Sequence, residues 1–137
     1  MAASSLQVTG INHVVLHVTD LERSKRFYLG VLGFEERGIS GGPSNMKASF
    51  LRCGTEGLDL FEVSGDVHGG QEMNHMALNV AVEDLDQLVT RLVEAGIEAS
   101  ERTPRNSVFI SDPDGHRLEM LPQTAGARAR ERQEITR

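Results

Sequence analysis

The segment Ile11-Asn12-His13-Val14-Val15-Leu16-His17-Val18 occurs a second time, as Met73-Asn74-His75-Met76-Ala77-Leu78-Asn79-Val80. A chain that repeats an alternating segment around one histidine is constrained to fold as two similar halves. Strict alternation marks a strand with two unlike faces. One face carries Val14, Leu16 and Val18 in the first copy and Met76, Leu78 and Val80 in the second. The other carries His13, Val15 and His17, and then Met73, His75, Ala77 and Asn79. Each histidine therefore leaves the more uniformly apolar face and is offered to a cavity. Two strands that each present an imidazole are the beginning of a metal site.

The repeat continues beyond the strands. Thr19-Asp20-Leu21-Glu22 has capping-box spacing, with Thr19 as the cap and Glu22 reaching back. The helix it opens turns Leu21, Phe27, Tyr28 and Val31 or Leu32 inward, and Gly33 stops it in a left-handed conformation. Phe34 to Ile39 reads as a strand and residues 40–45 as a turn. Met46 to Cys53 and Leu58 to Val63 form a hairpin around residues 54–57. Residues 64–72 link the halves. The second half opens on strand 73–80, followed by Leu85, Leu88, Val89 and Leu92 at helical spacing and a stop at Gly96. A short strand from Ile97 to Ser100 comes next. Ser107 to Ser111 and His116 to Leu121 make the last hairpin across Asp112-Pro113-Asp114-Gly115. The paired histidines and the paired helix-ending glycines recur at nearly the same interval. Leu58-Asp59-Leu60-Phe61 lines up with Leu118-Glu119-Met120-Leu121. Each half thus supplies a histidine on its first strand and a carboxylate on its last. The fold class expected is α+β, two βαβββ modules forming a cupped mixed sheet. The expected organisation is a leader over 1–9, one domain over 10–122 (modules 10–64 and 73–122, linker 65–72) and a polar tail over 123–137.

Composition narrows the partners. With 137 residues, 39% of them apolar, the chain can bury roughly 70% of the surface its unfolded form exposes. No apolar run approaches the ~20 residues of a membrane helix, and residues 1–5 have no signal-peptide pattern. A single cysteine, Cys53, allows no internal disulfide, which suits a reducing cytoplasm. A net charge of -6 argues against general nucleic-acid binding. A small-molecule substrate is the expected partner.

Asn12-His13, Asp20-Leu21, Phe27-Tyr28, Leu32-Gly33-Phe34, Asn74-His75, Asp84-Leu85, Ala95-Gly96 and Asp112-Pro113-Asp114-Gly115-His116-Arg117-Leu118-Glu119 together resemble the vicinal oxygen chelate superfamily. That superfamily includes glyoxalase I, fosfomycin- and bleomycin-resistance proteins, methylmalonyl-CoA epimerase and extradiol dioxygenases. The resemblance implies a glyoxalase-like fold over residues 10–122. It also implies a divalent metal ion (Zn, Ni, Mn, Co or Fe) held by His13, His75 and Glu119, with Asp59 a fourth ligand in some branches. It further implies a homodimer, in which a site is built within one chain or shared between two.

Two histidines and a carboxylate leave positions open for water and substrate. Asp59 competes with Glu62 for the remaining carboxylate role. Glu62 has the opposite parity and faces the cavity only through a bulge. His17 shares the face of His13, and Arg117 that of Glu119; both are candidates to meet substrate. Arg52, His68 and His116 read as surface groups, and Cys53 as a weak nucleophile candidate. The leading function is a metal-dependent lyase or isomerase whose substrate is chelated through vicinal oxygens, with Glu119 or Asp59 moving the proton. The alternatives are an Fe(II) extradiol-type dioxygenase and a non-catalytic drug- or metabolite-binding resistance protein.

Overall fold

In the computed structural model of the chain, residue 7, residues 11–40 and residues 47–123 are described. The expected turn over 40–45 lies outside them except for Ser40, as do the leader except Gln7 and the tail beyond Gln123. The chain divides into two compact units, the boundary falling after Val67.

The first unit runs β1 (His13–Val18), α1 (Leu21–Lys25), a π-helical turn (Arg26–Val31), β2 (Glu35–Ser40), β3 (Ala48–Cys53) and β4 (Glu56–Glu62). Its sheet has the order β1-β4-β3-β2, with β1 parallel to β4 and the other pairs antiparallel. A parallel β1 requires a crossover, and the helix supplies it over one face. Leu16, Val18, Leu58, Leu60 and Leu51 are buried on that face with Leu21, Phe27 and Tyr28 of the helical segment.

The helix starts one residue later than the capping box predicts. Asp20 is the cap, its Oδ1 accepting from Arg23 N at 3.1 Å, while Thr19 Oγ1 accepts from the Arg23 guanidinium. Glu22 pairs with Lys25 instead of reaching back. The Leu21 N–H is satisfied from β4, by Glu62 Oε2 at 2.9 Å. The helix then widens, with Leu32 N donating to Phe27 O five residues back. Widening rotates the last turn, so Val31 is exposed and Phe34 is buried beside Tyr28 at 5.4 Å between ring centroids. Gly33 ends the segment at φ +76.

Ser49 is fully buried on the helix face, and its hydroxyl donates to Glu36 Oε2 at 2.6 Å. That bond and the Lys25 ammonium, 3.0 Å from the same oxygen, hold the Glu36 carboxyl below its ordinary pKa. A carboxylate whose folded-state pKa is depressed adds stability above its unfolded value, about 4.3, and loses it as pH falls through the folded value. Glu36→Gln is therefore expected to lower Tm at neutral pH and to flatten the acid limb of Tm against pH. An acid limb identical to that of the parent chain would contradict the assignment.

The second unit runs β5 (Met76–Val80), α2 (Leu85–Glu94), β6 (Val108–Ser111) and β7 (Arg117–Pro122). The sheet order is β5-β7-β6, again with a parallel first pair and an antiparallel hairpin. Asp84 caps α2 by accepting from Gln87 N, and Gly96 closes it at φ +75 with Ile97 N donating to Leu92 O. Leu85, Leu88 and Leu92 meet Val108, Ile110, Leu118 and Met120 in the buried layer.

Both units are α+β, but among the described residues the second has three strands rather than four. The strand expected over Ile97 to Ser100 is absent. Ser100 N donates to Phe109 O, yet Phe109 N donates to the Ser100 hydroxyl rather than to a backbone carbonyl. A side-chain oxygen that takes a ladder position ends the ladder there. The strand expected over 73–80 begins only at Met76, leaving His75 just before it. Among the described residues, no helix is long and apolar enough to cross a membrane.

Candidate metal-binding half-sites

Parity places the histidines and carboxylates on the helix-free face of each sheet, and cross-strand register decides which of them meet. In the first unit Val15 pairs with Asp59 across the β1–β4 ladder; in the second, Ala77 pairs with Glu119 across β5–β7. The two registers are equivalent, so the histidine two residues earlier stands in the same relation to the carboxylate each time. His13 Nε2 is 3.9 Å from Asp59 Oδ2, and His75 Nε2 is 3.4 Å from Glu119 Oε1. Among the described residues, neither unit alone gathers three His, Cys, Asp or Glu side chains that could hold a metal. Each brings one imidazole towards one carboxylate.

The half-sites differ in their surroundings. The His13 and Asp59 side chains border a cavity of about 300 Å³ whose wall includes Asn12, Arg37, Phe50 and Gly57. Gly57 lies directly across from His13, and a Cβ there would come within 2.8 Å of His13 Cβ. The glycine is needed for the close approach of the two strands, not for a turn as the sequence suggests. Arg37 is the extra residue of a bulge in β2, where register shifts between Glu36 and Gly38. Bulges re-aim side chains in this way, and the Arg37 guanidinium forms no ion pair or hydrogen bond with a described residue.

In the second unit Glu119 is buried, and its Oε2 accepts from the Ser107 hydroxyl at 2.7 Å. Ser107 in turn lies 2.6 Å from Thr103 Oγ1. His75 stands edge-on to Phe109 at 5.2 Å, and the Arg117 guanidinium lies over the same ring at 4.6 Å. Arg117 also borders a cavity of about 470 Å³ with Ser100, Phe109 and Ser111.

Glu62 faces the helix side, as its parity requires, where it caps Leu21 and lies 3.8 Å from Lys47. His17 lies on the face of His13, exposed and in register with Phe61. His116 is not a surface group: it is buried in the β6–β7 turn, where its backbone N–H donates to Asp112 Oδ1 at 2.8 Å. Arg52 is exposed and paired with Glu35, and His68 is exposed. Burial, reinforced by Glu56, pushes the Cys53 thiol above its ordinary pKa, which disfavours a thiolate nucleophile.

Over residues 10–120 the chain matches the family model described as the Glyoxalase/Bleomycin resistance protein/Dioxygenase superfamily. The chain belongs to that superfamily. Within it the chain is similar to the fosfomycin resistance protein FosX of Listeria monocytogenes serovar 1/2a, with 28% identity over 82% of this chain and 89% of that protein. It is 31% identical to the glutathione transferase FosA of Serratia marcescens, over 86% of this chain and 84% of that protein. Among solved structures, a FosX variant from Listeria monocytogenes complexed with Mn(II) and 1S,2S-dihydroxypropylphosphonic acid matches with a TM-score of 0.72 and 25% identity. That match covers 90% of this chain and 99% of the other.

Strand parity accounts for the histidine and carboxylate positions, but not for the residues around them. Gly57, Arg37, Phe109 and the Thr103–Ser107 pair are invisible to strand parity, because each acts through a cross-strand neighbour. The one signal that was available is the asparagine before each histidine. Asn12 Oδ1 is 2.8 Å from His13 Nδ1, and Asn74 Oδ1 is 2.8 Å from His75 Nδ1.

Proposed function

We propose that this chain is a metal-dependent enzyme acting on a small substrate that offers two neighbouring oxygens, with His13, His75 and Glu119 as metal ligands and Asp59 as the fourth, weaker donor. The observation that carries this reading is the repeated pair itself, an imidazole Nε2 turned towards a carboxylate in each unit. The donor set fits a divalent ion: two neutral imidazoles and one or two carboxylates are what such ions take, with room for substrate. When bound, the ion supplies Lewis-acid polarisation of the substrate oxygens. The residues do the rest. Glu119 accepts a hydrogen bond from Ser107, whereas Asp59 is more exposed and, among the described residues, is paired only with His13, which suits it to take or give a proton. Arg37 and Arg117 are placed to meet an anionic substrate group.

The relatives' names point to fosfomycin as the first compound to test. The reaction is then addition of water or a thiol to an epoxide carbon, with breakage of that carbon's bond to the epoxide oxygen. Water opening an epoxide gives a vicinal diol, and the diol bound by the FosX variant is of that type. A lyase or isomerase reaction is the second reading, favoured by the presence of Asp59 as an additional carboxylate beside His13. The dioxygenase reading finds no acid: Tyr28, the one tyrosine of the chain, is fully buried on the helix side of its sheet.

Protein loaded with Mn(II) should convert fosfomycin in the presence of water, cysteine or glutathione, as followed by phosphorus NMR. Intact fosfomycin alongside turnover of a hemithioacetal would transfer the assignment to the lyase or isomerase. Stoichiometric metal binding without turnover of either would remove both reactions.

The reading includes a symmetric homodimer, since superfamily members pair modules within or between chains. A linker of about nine residues, which extends to roughly 30 Å, permits either. Mixing His13→Ala protein with His75→Ala protein separates the cases. Recovery of up to one metal per heterodimer is the result expected of shared sites, no recovery that of sites built within one chain. A monomer by light scattering would defeat the dimer.

A further inference from the structure

We infer that Asn12 and Asn74 are positioning residues that lock His13 and His75 in the Nδ1–H tautomer, so that each Nε2 carries the lone pair facing the carboxylate. The use of that lone pair rests on the metal reading above, but the tautomer is a property of the metal-free chain.

The second unit shows the direction of the bond. Arg117 Nη1 lies 3.4 Å from Asn74 Oδ1, and a guanidinium only donates, so the atom it meets is the amide oxygen. That same oxygen lies 2.8 Å from His75 Nδ1. An amide oxygen only accepts, so Nδ1 carries the hydrogen, and a neutral imidazole has no second one for Nε2. The other side of the ring agrees. Nε2 is 3.4 Å from Glu119 and, in the first unit, 3.9 Å from Asp59, both longer than the 2.7–2.9 Å typical of a charge-assisted N–H···O bond. In that tautomer Nε2 faces the carboxylate as a second acceptor, an arrangement a cation relieves.

Adjacent residues of a regular strand point to opposite faces. An asparagine can therefore bond the next residue's ring only where the pleat has not begun. Both pairs meet this condition: Asn12 precedes β1, and Asn74 and His75 precede β5. The first unit has the same 2.8 Å contact without an arginine, because Gly57 occupies the position that Arg117 takes in the second. Arg117 is itself held, by the Phe109 ring and by Gly70, whose missing side chain leaves room for its stem.

The test is ring-nitrogen NMR on metal-free protein labelled with ¹⁵N in its five histidines, at a pH where imidazole is neutral. His13→Ala and His75→Ala spectra assign the two signals. Both rings are expected as Nδ1–H in the parent chain. Asn74→Leu should move His75 alone to the Nε2–H form favoured by a free imidazole, and Asn12→Leu should do the same to His13 alone. Each should weaken Mn(II) binding by about 10- to 100-fold, the usual cost of losing such an outer partner. Asn74→Asp, which keeps an acceptor, should restore both tautomer and affinity. Nε2–H rings in the parent, or tautomers unmoved by the leucine variants, would overturn the proposal even if Mn(II) binds. Nδ1–H rings that respond as expected in a chain that binds no Mn(II) would uphold it and sink the metal reading instead.

Discussion

His13→Ala and His75→Ala should each abolish stoichiometric binding of a divalent ion, while His68→Ala leaves it unchanged. Each half-site holds a single imidazole, and neither unit alone supplies a third donor among the described residues to replace it. Removing either ring leaves the ion one protein donor short, with one nitrogen and at most two carboxylates, too few to hold it stoichiometrically. His68 is exposed in the linker and serves as the control. Metal analysis of protein purified without chelators or a histidine tag, then repleted with Mn(II), reads the outcome directly. Undiminished metal in both single variants would remove the metal reading altogether.

Glu119→Gln should lose metal binding nearly as completely, and Asp59→Asn much less. The difference comes from anchoring. The Glu119 side chain is 4% exposed, receives a hydrogen bond from Ser107 and lies 3.4 Å from its histidine. It is pre-positioned, and the amide that replaces it removes a charge from a site where water cannot compensate. The Asp59 side chain is 15% exposed, shorter and 3.9 Å from His13. Calorimetric titration with Mn(II) should show a loss of more than about 100-fold for Glu119→Gln, within the several kcal/mol at stake when a buried charged partner is removed, and clearly less for Asp59→Asn. Equal losses would make the site four-coordinate by protein. Glu62→Gln should leave affinity intact and lower Tm, since Glu62 holds the start of α1. Lost metal affinity in that variant would mean that the β4 register is wrong.

What the amino-acid order determined by itself is the set of properties that depend on a residue's near neighbours. Alternation in Ile11 to Val18 and Met73 to Val80 is enough to separate a helix-facing layer from a face carrying His13 and His75, because strand parity needs only residues i and i+2. The helix-ending glycines, the Asp112 to Gly115 turn and the pairing of Asp59 with Glu119 in the repeat follow for the same reason. Tertiary structure alone decided whatever depends on a partner far along the chain. It gave the first free N–H of α1 to Glu62, forty-one residues away. It substituted the Ser100 hydroxyl for a ladder carbonyl and so removed a strand, and it put Gly57 across from His13 and Arg117 beside Asn74. Periodicity cannot carry such information. A backbone donor is satisfied by whichever acceptor the fold brings near it, and only the folded register says which one that is.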